Sequence, residues 1–284
     1  MVAKLLTLAG ECYLKKTPQS LYIEAPIILC LKKYGVKRIP DVMAFDAQRC
    51  CFTLSSCGNM SLHEFLSTKF SFKLLLKSIV TYKSCQISQS AAVTELLSLG
   101  VPDWRAIKLL EISAVLLTDS QGLKDLYDLS SDECNQLNAL LPKLQRMLSE
   151  ISQTTRLASL NHCDIHYKNI MIDSQSQELS VIDWGECVIT DPYFSLLALS
   201  NLIKKRYYII PNSILAHLLD TACFGLERNS DVTLVQALLP FYLLLADRRL
   251  LNATGISDIT HTQRISNRIK QHFLVLIQNV ESYE

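Results

Sequence analysis

The sequence predicts an α+β protein of two lobes, a small β-rich lobe over residues 1–58 and a large, mostly helical lobe over 59–284. Three observations predict it. Paired apolar runs separated by turn residues fall within the first 54 positions, as β-hairpins do. From position 62 onward, apolar residues recur at helical spacing over most of the remaining length. One stretch among those helices, residues 161–192, reads NHCDIHYKNIMIDSQSQELSVIDWGECVITDP and returns to short strand-like runs around a set of polar groups. A chain of 284 residues is long enough for two lobes but too short for several independent domains.

Composition narrows the class. Hydrophobic residues make up 49% and charged residues 19%, so a sizeable core is expected. A net charge of +1, without a basic stripe, argues against a nucleic-acid partner. The ten cysteines include no C-x-x-C pair, and no secretory h-region opens the chain. Together these point to reduced thiols and a cytoplasmic location. The longest apolar run, 234–246, is broken by Gln236 and Pro240 and is too short to span a bilayer, so no membrane partner is expected.

Taken in order, residues 4–8 read as a strand, 9–11 as a turn and 12–16 as the returning strand. Thr17-Pro18 is a helix-start signal, and Gly35 stops the helix that follows. Pro26 lies inside that segment and is expected to kink or restart it. Residues 42–45 and 50–54 flank the turn 46–48 as a second hairpin. Residues 62–160 read as mainly helical, with segments at 72–84 and 91–99, and 119–129 read as polar and turn-rich. Ser130 caps a helix whose Leu137, Leu140, Leu141, Leu144, Leu148 and Ile151 form a core stripe. After Pro192, helices are expected at 194–203, 214–224, 234–251 and 262–280.

The stretch 161–192 carries the chemistry. His162, Asp164 and Asn169 stand as H-x-D-x-x-x-x-N, and the apolar runs 170–172 and 179–182 read as two short strands, the second ending in Asp183-Trp184-Gly185. Asp164 can take a proton from, or orient, an incoming hydroxyl. The Asn169 amide oxygen and the Asp183 carboxylate are hard ligands of the kind Mg²⁺ prefers, and Mg²⁺ leaves its other positions to phosphate and water. A base, an amide and a metal-binding carboxylate on neighbouring strands suit a kinase-type phosphoryl transfer. Cys163 beside His162 is a poor candidate for thiol catalysis, because adjacent residues on a strand point in opposite directions.

This stretch resembles the aminoglycoside phosphotransferase / choline kinase-like family, whose pattern runs H-G-D-x-H-x-x-N, an apolar strand, then I-D-W and D-P. The match rests on His162, Asp164, His166, Asn169, Asp183, Trp184, Asp191 and Pro192. Cys163 departs from the pattern's Gly, and Ser195 stands where many members have a structural Asp. The resemblance implies a bilobal protein-kinase-like fold. It also implies a small-molecule kinase that uses ATP or GTP with Mg²⁺ and phosphorylates a hydroxyl of a small acceptor. Asp164 would be the catalytic base, and Asn169 and Asp183 the metal ligands. By the same resemblance Lys15, rather than Lys16, would hold the nucleotide phosphates, with Glu24 as its partner. Ser56 falls in the inter-lobe hinge at 55–58, where backbone groups would meet the adenine edge. The pattern also has a further strand and a phosphate-covering loop ahead of Lys4, so the small lobe here is expected to be truncated. With that loop lacking and with Cys163 and Ser195 in place, the alternative is a catalytically impaired kinase-like pseudoenzyme or nucleotide-binding module.

Overall fold

The structure is a computed structural model describing residues 1–8, 10–154, 156–206, 229–254 and 259–283. The fold is α+β. Its described chain divides by internal packing into two compact units, Met1–Pro102 with Ser159–Leu226 and Asp103–Ala158 with Glu227–Glu284.

The first unit opens with a four-stranded antiparallel sheet. Strand β1 (Val2–Thr7) pairs with β2 (Gly10–Lys16), in a register running from Val2 opposite Lys15 to Thr7 opposite Gly10. The hairpin is tighter than the sequence suggests, because Gly10, at φ +115°, belongs to the returning strand rather than to the turn. A short 3₁₀ turn, Gln19–Leu21, follows, and helix α1 (Glu24–Lys33) then starts afresh. Pro26 thus falls in the first turn, where its missing N–H has no intrahelical partner to lose. The helix stops at Gly35 (φ +87°), whose N–H reaches the Lys32 carbonyl while Val36 N–H reaches Leu31. That is a Schellman closure. Ile27, Ile28 and Leu31 on α1 have no exposed surface, and burial of each contributes about 1.5–3 kcal/mol. Strands β3 (Val42–Asp46) and β4 (Cys51–Ser55) form the second hairpin, and the sheet order is β1-β2-β4-β3.

Strand β5 (Met60–Ser61) leads into α2 (Leu62–Thr68), which Ser61 and Glu64 open with a capping box. Helices α3 (Phe72–Cys85) and α4 (Ser90–Ser98) follow. Next come α5 (Ala106–Thr118), α6 (Ser120–Tyr127) and α7 (Ser131–Ser152), which lie in the second unit. Helix α6 corrects the turn-rich reading of 119–129. Asp119 accepts the Gly122 N–H at 2.9 Å and caps a helix that buries Leu123 and Tyr127. The polar residues that look like a turn are a cap and a solvent face.

The chain then returns to the first unit as β6 (Ser159–His162), β7 (Ile170–Ile172), β8 (Leu179–Val181) and β9 (Cys187–Thr190). Strands β5, β7 and β8 form one small sheet, and β6 and β9 another. Helix α8 (Tyr193–Arg206) ends this part. In the second unit α9 (Asn229–Thr254) packs along α10 (Ile259–Ser282), and α10 buries Ile265, Ile269, Phe273 and Val280 along one face. The helix expected at 214–224 lies outside the described residues. Among the described residues no helix is long and apolar enough to cross a membrane, and nine cysteines are free thiols.

Gly58 brings the chain after β4 against β7. A Cβ there would stand 2.9 Å from both the Ile172 carbonyl oxygen and the Met171 Cβ, so backbone would have to move. Gly58→Ala is expected to lower stability by about 1–3 kcal/mol, as overpacking does. Urea unfolding checks this through a lower midpoint at unchanged slope.

Candidate active site

Tyr13 and Lys15, two apart on β2, point to one face of the sheet, while Lys16 ends the strand exposed to solvent. Lys15 Nζ lies 2.6 Å from Glu24 Oε2 and 2.7 Å from Asp183 Oδ1. Glu24 opens α1 and is 1% exposed, whereas the Asp183 side chain is 49% exposed. Gly185 lets the 3₁₀ turn ahead of α1 come close, since a Cβ there would stand 3.2 Å from the Leu21 carbonyl oxygen. Burial drives the Glu24 carboxyl up, to about 7, against the pull of Lys15. Enclosure raises Asp183 as well, but the Lys15 charge and hydrogen bond outweigh it and hold this carboxyl below its usual value. Burial lowers Lys15, and its two carboxylate neighbours more than restore it, so the ammonium titrates above its usual value. Asp183 adopts the left-handed conformation, φ 70° and ψ 52°, which Asp tolerates better than most residues. Trp184, fully buried, donates its Nε1–H to the Val181 carbonyl at 3.0 Å and fixes the turn.

The loop between β6 and β7 is held from within. His162 is fully buried, and its ring Nδ1 accepts the Asp164 N–H at 3.2 Å. Its Nε2–H therefore donates to the Ile182 carbonyl at 3.0 Å, next to Asp183. Asn169 Nδ2 donates to the Asp164 carbonyl at 2.9 Å and to Asp164 Oδ2 at 3.1 Å. Ile182 N–H binds the Asn169 carbonyl at 3.0 Å, which ties the end of the loop to the residue before Asp183. The Asp164 carboxylate is half exposed, with His166 Nε2 at 3.5 Å.

A cavity of about 240 Å³ opens beside these groups. Val2, Leu54, Met171 and Ile182 give it apolar walls, and Lys15 and Asp183 give it a charged end. Ser55, Cys57 and Gly58 line it, while Ser56 between them turns away. The Ser56 N–H meets the Glu11 carbonyl at 3.4 Å, and its Oγ donates to the Gly58 carbonyl at 3.2 Å. Among the described residues no group of three His, Cys, Asp or Glu side chains could hold a metal by itself. Magnesium needs no such cage. One carboxylate and one amide oxygen suffice when phosphates supply the rest. Where Glu24 is ionised, two carboxylates sharing one ammonium leave negative charge that a cation would offset.

Of the residues singled out from the sequence, the structure joins Lys15, Glu24 and Asp183 in one ion cluster and Asp164 with Asn169 in one loop. It sets Ser56 off the cavity wall. Sequence reasoning assigned His162 no separate part, although its ring is the link between the Asp164 backbone and the end of β8. The H-x-D spacing was the available signal, because a ring two residues ahead can accept the Asp N–H.

Residues 155–228 match the model of the phosphotransferase enzyme family. A search of curated protein sequences matches nothing. Among solved structures, an ethanolamine kinase of Plasmodium vivax is similar at 13% identity and a TM-score of 0.57, covering 95% of this chain and 78% of that one. A choline kinase of Streptococcus pneumoniae gives 12%, 0.58, 99% and 89%. An aminoglycoside phosphotransferase in ternary complex with AMP-PNP and hygromycin B gives 12%, 0.59, 99% and 90%. At these identities the likeness is one of fold, the protein-kinase-like fold of small-molecule kinases, and it bears out the resemblance carried by residues 161–192.

Burial holds the His162 ring below its usual value of 6.5. Above about pH 6.5 the ring is neutral in both the folded and the unfolded chain. Below that, the unfolded chain takes up a proton that the buried ring refuses, so this contribution to stability falls, by at most about 1.4 kcal/mol per pH unit. His162→Gln removes the titration. The expected result is that the stability difference between wild type and variant shrinks from about pH 7 to pH 5, measured by denaturant unfolding across that range; a constant difference would contradict it.

Proposed function

We propose that this chain is a small-molecule kinase that transfers the γ-phosphate of ATP or GTP to a hydroxyl of a small acceptor. The observation that carries the reading is the part-buried Lys15 ammonium between Glu24 and Asp183, beside an apolar-walled cavity, together with the Asp164–Asn169 loop. Residues 1–58 serve as the small nucleotide-binding lobe, and residues 59–284 supply the catalytic loop and the acceptor site. The apolar walls receive the base, with the backbone of 55–58 at its edge. Lys15, braced by Glu24, leaves Asp183 for the phosphates. Asp183 and the Asn169 amide oxygen would hold Mg²⁺, which would supply charge neutralisation for the transferring phosphoryl group.

Asp164 orients the acceptor hydroxyl and takes its proton as the oxygen–phosphorus bond forms and the bond to the departing diphosphate breaks. Its half-exposed carboxylate is open to an acceptor, and the bond from Asn169 fixes its direction. The work of the site is positioning and charge compensation rather than covalent chemistry. The solved neighbours are named for choline, ethanolamine and aminoglycoside phosphorylation, and from them this reading takes only the acceptor hydroxyl.

Asp183→Ala is expected to abolish Mg²⁺-dependent nucleotide binding, measured by titration calorimetry. Metal-dependent binding of wild-type strength in that variant would sink the metal assignment. Asp164→Asn is expected to keep nucleotide binding and to lose phosphoryl transfer by about 10²-fold or more, the usual worth of a general base. Wild-type turnover in that variant would remove Asp164 from the chemistry. Tight Mg²⁺·nucleotide binding by the wild type without turnover toward any hydroxyl or water would favour a nucleotide-binding module instead.

A further inference from the structure

Among the described residues strand β6 pairs only with β9, so the outer edge of β6 carries backbone donors that its own sheet does not satisfy. The Leu160 N–H goes to the Ile87 carbonyl at 3.1 Å. Two residues on, the His162 N–H goes instead to a side chain, the Tyr82 phenol oxygen on α3, at 3.0 Å. Tyr82 has no exposed surface. Its phenol donates to Ser195 Oγ at 2.6 Å, and Ser195, fully buried on α8, donates to Asn161 Oδ1 at 2.5 Å. Gln86 Nε2 adds bonds to Ser195 Oγ at 3.2 Å and to the Pro192 carbonyl at 3.0 Å.

The polarity of this relay is fixed. Asn161 spends its Nδ2 on the carbonyls of Ser159 and Thr190, so its Oδ1 must accept. Ser195 then gives its proton to Asn161 and accepts from Tyr82, which leaves the phenol oxygen free to accept the His162 N–H. Beyond His162 the chain of bonds continues through the ring to the Asp164 N–H and to the Ile182 carbonyl beside Asp183. Every member is uncharged, and burial pushes the Tyr82 phenol well above its ordinary value, so it stays protonated.

We infer that Tyr82 is a positioning residue for Asp164, anchoring the catalytic loop through an uncharged relay with Ser195, Asn161 and Gln86. The inference rests on the kinase reading for its catalytic consequence, but not for its structural one. Tyr82→Phe leaves the His162 N–H buried and unpaired, which frees the loop while Lys15, Glu24 and Asp183 keep their own contacts.

The test follows amide hydrogen exchange at His162 and Asp164, the nucleotide Kd, and Mg²⁺·ATP turnover with water or an acceptor. In Tyr82→Phe, exchange at both amides should quicken, turnover should fall about tenfold or more, and the nucleotide Kd should stay within about twofold. Unchanged exchange at His162 and Asp164 overturns the inference whatever the nucleotide result. Faster exchange with wild-type turnover, or parallel losses in Kd and turnover, overturns the catalytic part. If Tyr82→Phe does not fold, Ser195→Ala, which strips the phenol of its acceptor, is read in the same way. A wild type that neither binds nor turns over Mg²⁺·nucleotide would defeat the kinase reading, while the exchange data would still decide whether Tyr82 holds the loop.

Discussion

The contact of one part-buried ammonium with two carboxylates, one buried and one half exposed, is the constraint around which the first unit is arranged. Lys15 comes from the edge-side hairpin, Glu24 from the first turn of α1, and Asp183 from the end of β8, 168 positions away in sequence from Lys15. Bringing these together costs desolvation of three charged groups. Such a cluster adds little net stability, since apolar packing often replaces one without loss. The arrangement makes sense as preparation for a fourth charge. Burial favours a neutral Glu24, Lys15 favours a charged one, and the half-exposed Asp183 is the member able to exchange Lys15 for a cation.

Several local features allow this contact. Pro26 sits where it starts a helix rather than breaking one, so Glu24 lands at the helix entrance. Gly185 lets the 3₁₀ turn ahead of α1 approach the turn after Asp183. Asp183 itself accepts a left-handed backbone, a strained conformation of the kind concentrated at functional sites. Trp184, sealed beneath it and edge-on to the His162 ring at 5.3 Å, ties that strained turn to the loop that carries Asp164. The same ring thereby senses both halves of the site.

Much of this was legible in the residues. The H-x-D-x-x-x-x-N spacing and the following Asp-Trp mark a local arrangement, because strand–turn–strand segments place their polar ends together whatever surrounds them. The choice of Lys15 over Lys16 came from the resemblance, and the period of two on β2 explains it physically, since only one of two adjacent lysines can face the cavity. The parts that could not be read are those that depend on distant packing. Tyr82 is one apolar position among many on α3, and nothing near it in sequence shows that its hydroxyl meets the His162 backbone. Ser195 looked like a loss because only its own residue type was visible, not the phenol that reaches it. The short helix α6 was missed because Asp119 and Ser120 cap helices and open turns with the same chemistry. At Ser56 side-chain identity carries little information, because backbone groups form the wall there.

Lys15, Glu24 and Asp183 are proposed to form a metal-dependent nucleotide site. The most direct measurement is thermal melting of the wild type and of Lys15→Met with ADP and ATP, each with Mg²⁺ and with EDTA. A ligand bound only by the folded chain must raise the melting temperature by mass action, by about 2.7 kcal/mol of stability at a hundredfold excess over Kd. The account predicts a rise in the wild type that needs Mg²⁺ and is lost in Lys15→Met. No rise at millimolar nucleotide, or an equal rise with EDTA or in Lys15→Met, would contradict it.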